Sequence, residues 1–226
     1  MQRALGLLAT AIAFACAAPA APVNIPYTQD FESGVVGSEW SSTGGGWRVV
    51  DGRLWNDGAH NVPLWLQAAL PADVRVTFDA ESKSDAVDLK FEIFGDGKNH
   101  QSGYIVILAG WNNSKSIIAR LDEHGPERTA AEEQTLRAAA AKGAASLATR
   151  FIGRREIVAR ADSRRKDHVY QFRFERRGFE LSLAVDGVPV LGYFDPAPLA
   201  GPGHDRFAFN NWASVVTFDN LRIEPL

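Results

Sequence analysis

The stretch Val74-Arg75-Val76-Thr77-Phe78-Asp79-Ala80-Glu81 reads apolar, polar, apolar, polar without a break. Successive side chains of an extended strand point to opposite faces, so this text describes a strand with one buried face and one wet face. The same two-residue period recurs in Tyr170, Phe172 and Phe174 against Gln171, Arg173 and Glu175, and again through Phe179, Leu181, Leu183 and Val185. Asp186-Gly187 then signals a tight hairpin. Asp51-Gly52 and Asp57-Gly58 are further turn signals, and two more strands are expected around 206–212 and 215–223. Many short strands, turn dipeptides between them and little helix predict an all-β fold, a two-sheet antiparallel β-sandwich or jelly roll.

Two other segments carry the period with more charge. Leu89, Phe91 and Ile93 alternate with Asp88, Lys90 and Glu92, while Ile117, Ala119 and Leu121 alternate with Ser116, Ile118, Arg120 and Asp122. They read as strands sharing a polar face. The departure from β character is 127–166, where AAEEQTLRAAAAKGAASLATR has strong helix propensity and few large apolar anchors. It reads as one inserted helical segment, with Leu136, Ala140, Gly143 and Leu147 as a thin apolar stripe able to lie on the sandwich. The Arg154, Arg155, Arg160, Arg164, Arg165 and Lys166 run, interrupted by Glu156 and Asp162, reads as a solvated face. Contact with an anionic surface polymer is its other reading.

A chain of 226 residues, 46% hydrophobic, is enough for one domain with a real core, here assigned to 23–226. The formal net charge of -3 lacks the basic excess that neutralising many phosphates requires, so nucleic acid is not an expected partner. Residues 1–22, with Arg3, an apolar run from Ala4 to Ala15 and then small residues and prolines, read as a signal peptide. The protein is accordingly expected to be exported, periplasmic, extracellular or lipid-anchored in a bacterial envelope, and no later run approaches the length of a membrane span. Cys16 is the single cysteine. Ala13-Phe14-Ala15-Cys16 partly resembles a lipobox, which makes Cys16 a candidate lipidation site; cleavage after an Ala-x-Ala is the alternative. Either way no disulfide can form within the chain.

Asp30-Phe31-Glu32, Trp40, Trp47-Arg48-Val49-Val50-Asp51-Gly52-Arg53-Leu54, Tyr104-Ile105-Val106, Phe179 to Val188 and Phe218-Asp219-Asn220-Leu221-Arg222 together resemble the concanavalin A-like lectin/glucanase superfamily, nearest its 3-keto-disaccharide hydrolase domain branch. The resemblance covers most of the chain outside the signal peptide and the insert. It implies a two-sheet jelly roll whose concave face or rim meets sugar.

Laminarinase-type enzymes of that superfamily carry Glu-x-Asp-x-x-Glu on one strand, and no such triplet occurs here. Glu92 and Asp122 are the weak catalytic candidates, as a carboxyl pair across neighbouring strands. An ion-paired ladder of Lys90, Glu92, Arg120 and Asp122 is the competing and preferred reading. A clearer signal is the recurrence of His, Asn and Trp in turns: His60-Asn61 with Trp65, Asn99-His100, Trp111-Asn112-Asn113 and Asn210-Asn211-Trp212. An indole covers the apolar face of a pyranose, and a carboxamide offers donor and acceptor together to neighbouring hydroxyls. Asparagines also bond their own turns and tryptophans also cap cores, so each residue alone has a structural reading.

The expected ligand-binding set is therefore His60, Asn61, Trp65, Lys90, His100, Trp111, Asn112, Asn113, Arg120, Asn210, Asn211 and Trp212, with carbohydrate or glycan as partner. The five histidines are not spaced as helical ligands, and zinc, phosphate-loop and Gly-x-Ser-x-Gly motifs do not occur. No cofactor is expected. Calcium held by loop oxygens near Asp96 and Asn99, or near Asp195, is compatible with the chemistry, with no ligand set named. Three functions follow in order: a non-catalytic carbohydrate-binding module, a hydrolase or lyase acting on a disaccharide or modified glycoside, and a structural envelope protein docking a partner through the insert.

Overall fold

The computed structural model describes residues 23–143 and 157–226. The segment 1–22 with Cys16, and Leu147, Arg154, Arg155 and Glu156 of the insert, lie outside the described residues. Two antiparallel sheets face each other. One places β13 (Val188–Phe194), β12 (Glu180–Val185), β11 (Val169–Arg177), β6 (Val74–Ser82), β15 (Val216–Pro225), β4 (Arg53–Asn56) and β3 (Arg48–Val50) side by side, and β1 (Tyr27–Gln29) also pairs with β15. The other runs β10 (Ile157–Arg160), β9 (Lys115–Arg120), β8 (Tyr104–Ala109), β7 (Leu89–Gly95), β14 (Arg206–Asn210), β5 (Leu64–Leu66) and β2 (Trp40–Ser41). The expected β-sandwich is thus the fold. Among the described residues no helix is long and apolar enough to cross a membrane.

The alternation that signals the strands also builds the core. Val74, Val76, Phe78 and Ala80 of β6 are buried, and the register sets Phe78 beside Phe172 and Ala80 beside Phe218. Phe78 stacks on Phe172 within its own sheet at 4.8 Å. It meets Phe91 and Phe209 of the opposite sheet edge-on, each at 5.3 Å, and Phe209 in turn stacks on Phe218 at 4.4 Å. These offset and T-shaped arrangements are the ones the ring quadrupole favours. The hairpins form where the dipeptides place them: Asp51-Gly52 and Asp186-Gly187 take positive φ at both residues, as a two-residue turn between twisted strands requires.

The insert is only partly helical. A helix, α1, spans Ala130–Ala141 and is opened by a capping box in which Thr129 and Glu132 exchange hydrogen bonds with each other's backbone N–H. Leu136 and Ala139 are its buried residues, whereas Gly143 is exposed. Its first turns are tied to the chain's own sheet edge: Arg128 donates to the Phe194 carbonyl at 2.6 Å, and the Arg137 guanidinium lies 4.5 Å from the Phe194 ring. Ile157–Arg160, expected as helix, is instead edge strand β10 on β9. Its β-branched Ile157 and Val158 have a paired neighbour to lean on, and that pairing overrides the local helix propensity.

Phe78 touches both sheets, so its truncation leaves a cavity that neither sheet can close. Phe78→Ala is expected to cost about 3–5 kcal/mol, read as a lowered urea midpoint with an unchanged slope. Arg173→Ala, on the wet face of the neighbouring strand, should fall within about 0.5 kcal/mol of the parent.

Candidate functional site

Because Phe91 and Phe209 face the core, Lys90, Glu92 and Asn210 must face away from it. The register sets Lys90 between Asn210 and Ile107, and Glu92 between Ala208 and Ile105. The outer face of the seven-stranded sheet is therefore polar at Lys90, Glu92 and Asn210 and apolar at Ile105, Ile107, Ile117 and Ala119, which form a second buried cluster with Ile157.

Arg120 does not join this face. Its strand partner is Tyr104, a core residue, so the guanidinium sits on the inner side and its Nε donates to Asp195 at 3.0 Å. Tyr104 donates to the same carboxylate oxygen at 2.6 Å. The expected Lys90-Glu92-Arg120-Asp122 ladder is absent because β9 turns Ile117 and Ala119, not Ser116 and Arg120, toward Lys90 and Glu92. Asp122 lies in the turn after β9 and accepts the His124 N–H at 2.9 Å. Among the described residues, no three His, Cys, Asp or Glu side chains cluster as a metal site. Asp195 is taken up by Arg120 and Tyr104, and Asp96 accepts the Lys98 and Asn99 N–H groups.

What the outer face holds instead is a saturated network. Glu92, wholly buried, accepts from His100 Nδ1 at 2.6 Å, the Gln101 N–H at 2.9 Å and Asn210 Nδ2 at 2.6 Å. Asn210 Oδ1 is already held by the Asn211 N–H at 2.7 Å, which leaves its amide nitrogen to face Glu92. Lys90, 3% exposed, donates to Glu123 Oε2 and Asn61 Oδ1, both at 2.8 Å. His100 Nε2 stands 3.9 Å from Glu123 Oε1, a separation at which the charges attract without a hydrogen bond.

Burial acts to lower the His100 pKa, but Glu123 and Glu92 outweigh it and raise it to about 9. Burial likewise acts to raise Glu123, but His100 and Lys90 outweigh it and hold the carboxyl at about 2. Asp88, next to this network, is pushed above the ordinary carboxylate range by burial, with Glu123 adding to the effect and Lys90 opposing it.

Over the network lies a cleft of about 580 Å³. Lys90, Glu123, Asp88 and Asn61 contribute to its floor, while Trp111 with His124 and Trp212 with Ala213 contribute to its walls. The two indoles are 37% and 50% exposed, so each keeps part of its surface open to solvent. Trp212 is positioned by paired loops: the His60 and Asn61 N–H groups donate to the Trp212 and Asn211 carbonyls, each at 2.9 Å, and the His60 ring meets the indole edge-on at 5.1 Å.

Trp111 stands on the turn Gly110–Asn113, where Trp111, Asn112 and Asn113 all take left-handed φ. The cost, roughly 1–2 kcal/mol for an ordinary side chain, falls on Trp111, because asparagine adopts this region readily. The turn is held by Asn113, whose side chain accepts the Val87 N–H at 2.9 Å and donates to the Asp85 carbonyl at 2.7 Å. Lys115 Nζ lies 4.7 Å from the Trp111 ring. Asn61, Asp88 and Gln101, which also line the cleft, have positive φ as well. Strained backbone gathers where surrounding structure over-determines a site.

Of the residues expected from the sequence, Asn61, Lys90, Trp111, Asn112 and Trp212 line the cleft, and His100 and Asn210 lie in the network beneath it. His60 supports Trp212. Three others serve the scaffold: Trp65 is 1% exposed and lies against Gly95, where a Cβ would come within 2.2 Å of the ring. Asn113 holds its turn, and buried Asn211 donates to Asn56 at 2.8 Å and to the Ser214 carbonyl at 2.6 Å. Sequence reasoning missed Asp88, Gln101, Glu123, His124 and Ser214. The signal available for Glu123-His124 was their place in the turn directly after a charged strand.

The network makes stability depend on pH in two directions. Glu123 contributes stability that is complete above its ordinary value of 4.5 and is lost as pH falls toward 2. His100 contributes stability that is complete below its ordinary value of 6.5 and is lost as pH rises through 9. His100→Gln should therefore cost on the order of 2 kcal/mol at pH 6, and the gap from the parent in denaturant midpoint should narrow by pH 9.5. A gap independent of pH would contradict the assignment.

No family model matches the chain, and no curated protein matches it in sequence. Solved structures do resemble it. The carbohydrate binding module CBM66 from Bacillus subtilis is 12% identical with a TM-score of 0.57, over 90% of this chain and 99% of that one. The Bacillus licheniformis β-glucanase is 8% identical with a TM-score of 0.55, over 89% and 98% of the two chains. A prokaryotic β-1,3-1,4-glucanase (lichenase) derived from a mouse hindgut metagenome is 12% identical with a TM-score of 0.54, over 88% and 99%. At these identities the likeness is one of fold, and the chain has the jelly-roll β-sandwich that a sugar-binding module and sugar-cleaving enzymes share.

Proposed function

We propose that the protein binds carbohydrate in the cleft over Lys90 and Glu123, as an exported, non-catalytic module of the cell envelope. The observation that carries this reading is the pair of exposed indoles, Trp111 and Trp212, bordering a floor of buried charged and amide groups. Apolar C–H faces of a sugar would lie on the rings. Hydroxyls, each a donor and an acceptor, would meet Asn61, Asp88, Gln101 and Asn112. The ion pairs beneath balance one another, so the floor presents dipoles more than net charge. The fold likeness to a carbohydrate binding module supports this reading, and the signal-peptide text of 1–22 suits a ligand met outside the cytoplasm. Trp111→Ala and Trp212→Ala are each expected to weaken glycan retention about tenfold, the equivalent of 1.4 kcal/mol, with circular dichroism and melting temperature unchanged. A glycan array on which both variants behave as the parent would defeat the proposal.

One observation favours a second reading, a hydrolase or lyase of the kind found in the 3-keto-disaccharide hydrolase branch. Asp88 and Glu123 share the cleft, and their surroundings push their proton affinities apart, with Asp88 the better suited of the two to carry a proton. In that reading Asp88 protonates the departing oxygen and, once ionised, takes a proton from the attacking water, while Glu123, held ionised by His100 and Lys90, stabilises positive charge developing on the sugar. Glu92 is excluded from contact with substrate by its complete burial. Asp88→Asn should then lower turnover of a responsive glycoside at least ~100-fold. A broad panel of oligosaccharides and aryl glycosides left intact by concentrated parent protein would eliminate this reading and leave the first.

A further inference from the structure

A second concavity, of about 450 Å³, opens where edge strand β10 meets the β12–β13 hairpin. It is built around the loop 161–168. Tyr170 clasps that loop from below, its hydroxyl accepting the Arg165 N–H at 2.8 Å and donating to the Arg165 carbonyl at 3.0 Å. The Arg164 guanidinium lies 5.4 Å from the Tyr170 ring and pairs with Asp162 at 3.1 Å. Asp162 also accepts from Ser116 at 2.7 Å. His168 packs on the same tyrosine at 4.4 Å and faces Asp186 at 3.2 Å. Lys166 pairs with Asp85 at 2.7 Å. Asp167 pairs with Lys83 at 3.6 Å, so among the described residues each carboxylate of the loop is matched to a cation. Two guanidiniums lining the concavity, Arg160 and Arg165, are exposed and have no carboxylate partner among the described residues.

Residues 82–87 connect this concavity to the cleft. The Asp167 N–H donates to the Ser82 carbonyl at 2.8 Å, which lays loop 161–168 against residues 82–87. Asn113 of the Trp111 turn holds the other side of the same stretch through Asp85 and Val87, and Ala86 lines the cleft itself. Loop 161–168 and the Trp111 turn thus flank the same stretch 82–87, with the guanidiniums on one side of it and the cleft on the other. Forked guanidiniums suit oxyanions, which accept two parallel N–H bonds.

We infer that the glycan taken up by the cleft is acidic, and that Arg160 and Arg165 receive its carboxylate or sulfate groups. The inference rests on the proposed carbohydrate reading and adds the ligand's charge to it. Charge-assisted hydrogen bonds are worth more than neutral ones, so loss of both guanidiniums should weaken binding at least about tenfold.

The probes are polygalacturonate, its fully methyl-esterified form, dextran sulfate and plain dextran, measured on the full chain by affinity electrophoresis at two salt concentrations. Retention is expected for polygalacturonate or dextran sulfate, in preference to the uncharged counterpart, and the one retained identifies carboxylate or sulfate as the recognised group. Arg160→Gln/Arg165→Gln should abolish the preference while the melting temperature stays put, since both side chains are exposed. Trp212→Ala should weaken acidic and uncharged forms alike. Equal retention of charged and uncharged forms, a preference that survives in the double arginine variant, or no retention of either acidic polymer would overturn the inference. Retention unaffected by Trp212→Ala would instead strike at the cleft.

Discussion

The interlock of phenylalanines across the sandwich is the constraint from which the other features follow. Phe78 and Phe218 of one sheet and Phe91 and Phe209 of the other fill the space between the layers, and ring shape leaves few ways to do so. Once Phe91 and Phe209 point inward, the pleat leaves Lys90, Glu92 and Asn210 no direction but outward. The floor of the cleft is a geometric consequence of the core.

That floor is costly. Charged side chains removed from water lose hydration that mutual attraction repays only when the geometry is good and the remaining lone pairs are filled. Here Glu92 has three donors, and Lys90 finds a carboxylate and an amide oxygen together. An apolar floor of similar volume would serve stability as well or better. A polar floor, under exposed indoles and beside left-handed turns, suits the proposed ligand-binding reading.

Much of this was legible in the chain. Strict alternation in 74–81 and 170–175 sets the strands, and Asp-Gly pairs set the hairpins, because both are local properties of the backbone. The recurrence of His, Asn and Trp in turns led to Trp111, Trp212 and Asn61. The face of β9 was not legible: Ser116, Ile118, Arg120 and Asp122 alternate as well as their neighbours do, and only pairing of Tyr104 with Arg120 decides which set turns inward. Trp65 was misleading for the same reason, since the close approach of Gly95 that buries it comes from sheet contact far along the chain. Glu123 and Asp88 escaped notice because their importance arises from the charges around them, which no linear spacing displays. The Ala-rich insert conceals β10, whose partner lies about forty residues earlier.

The left-handed turn that carries Trp111 has a consequence for selectivity. Three successive residues outside the ordinary backbone basin, pinned by one carboxamide, fix the backbone from which the indole projects. The ordering of that backbone is settled at folding, before any ligand arrives, so association need not spend entropy on it. In the proposed binding reading such a surface would discriminate by shape and tolerate poorly a branch or acyl group projecting toward the ring, whereas a mobile aromatic lid would accommodate many such decorations.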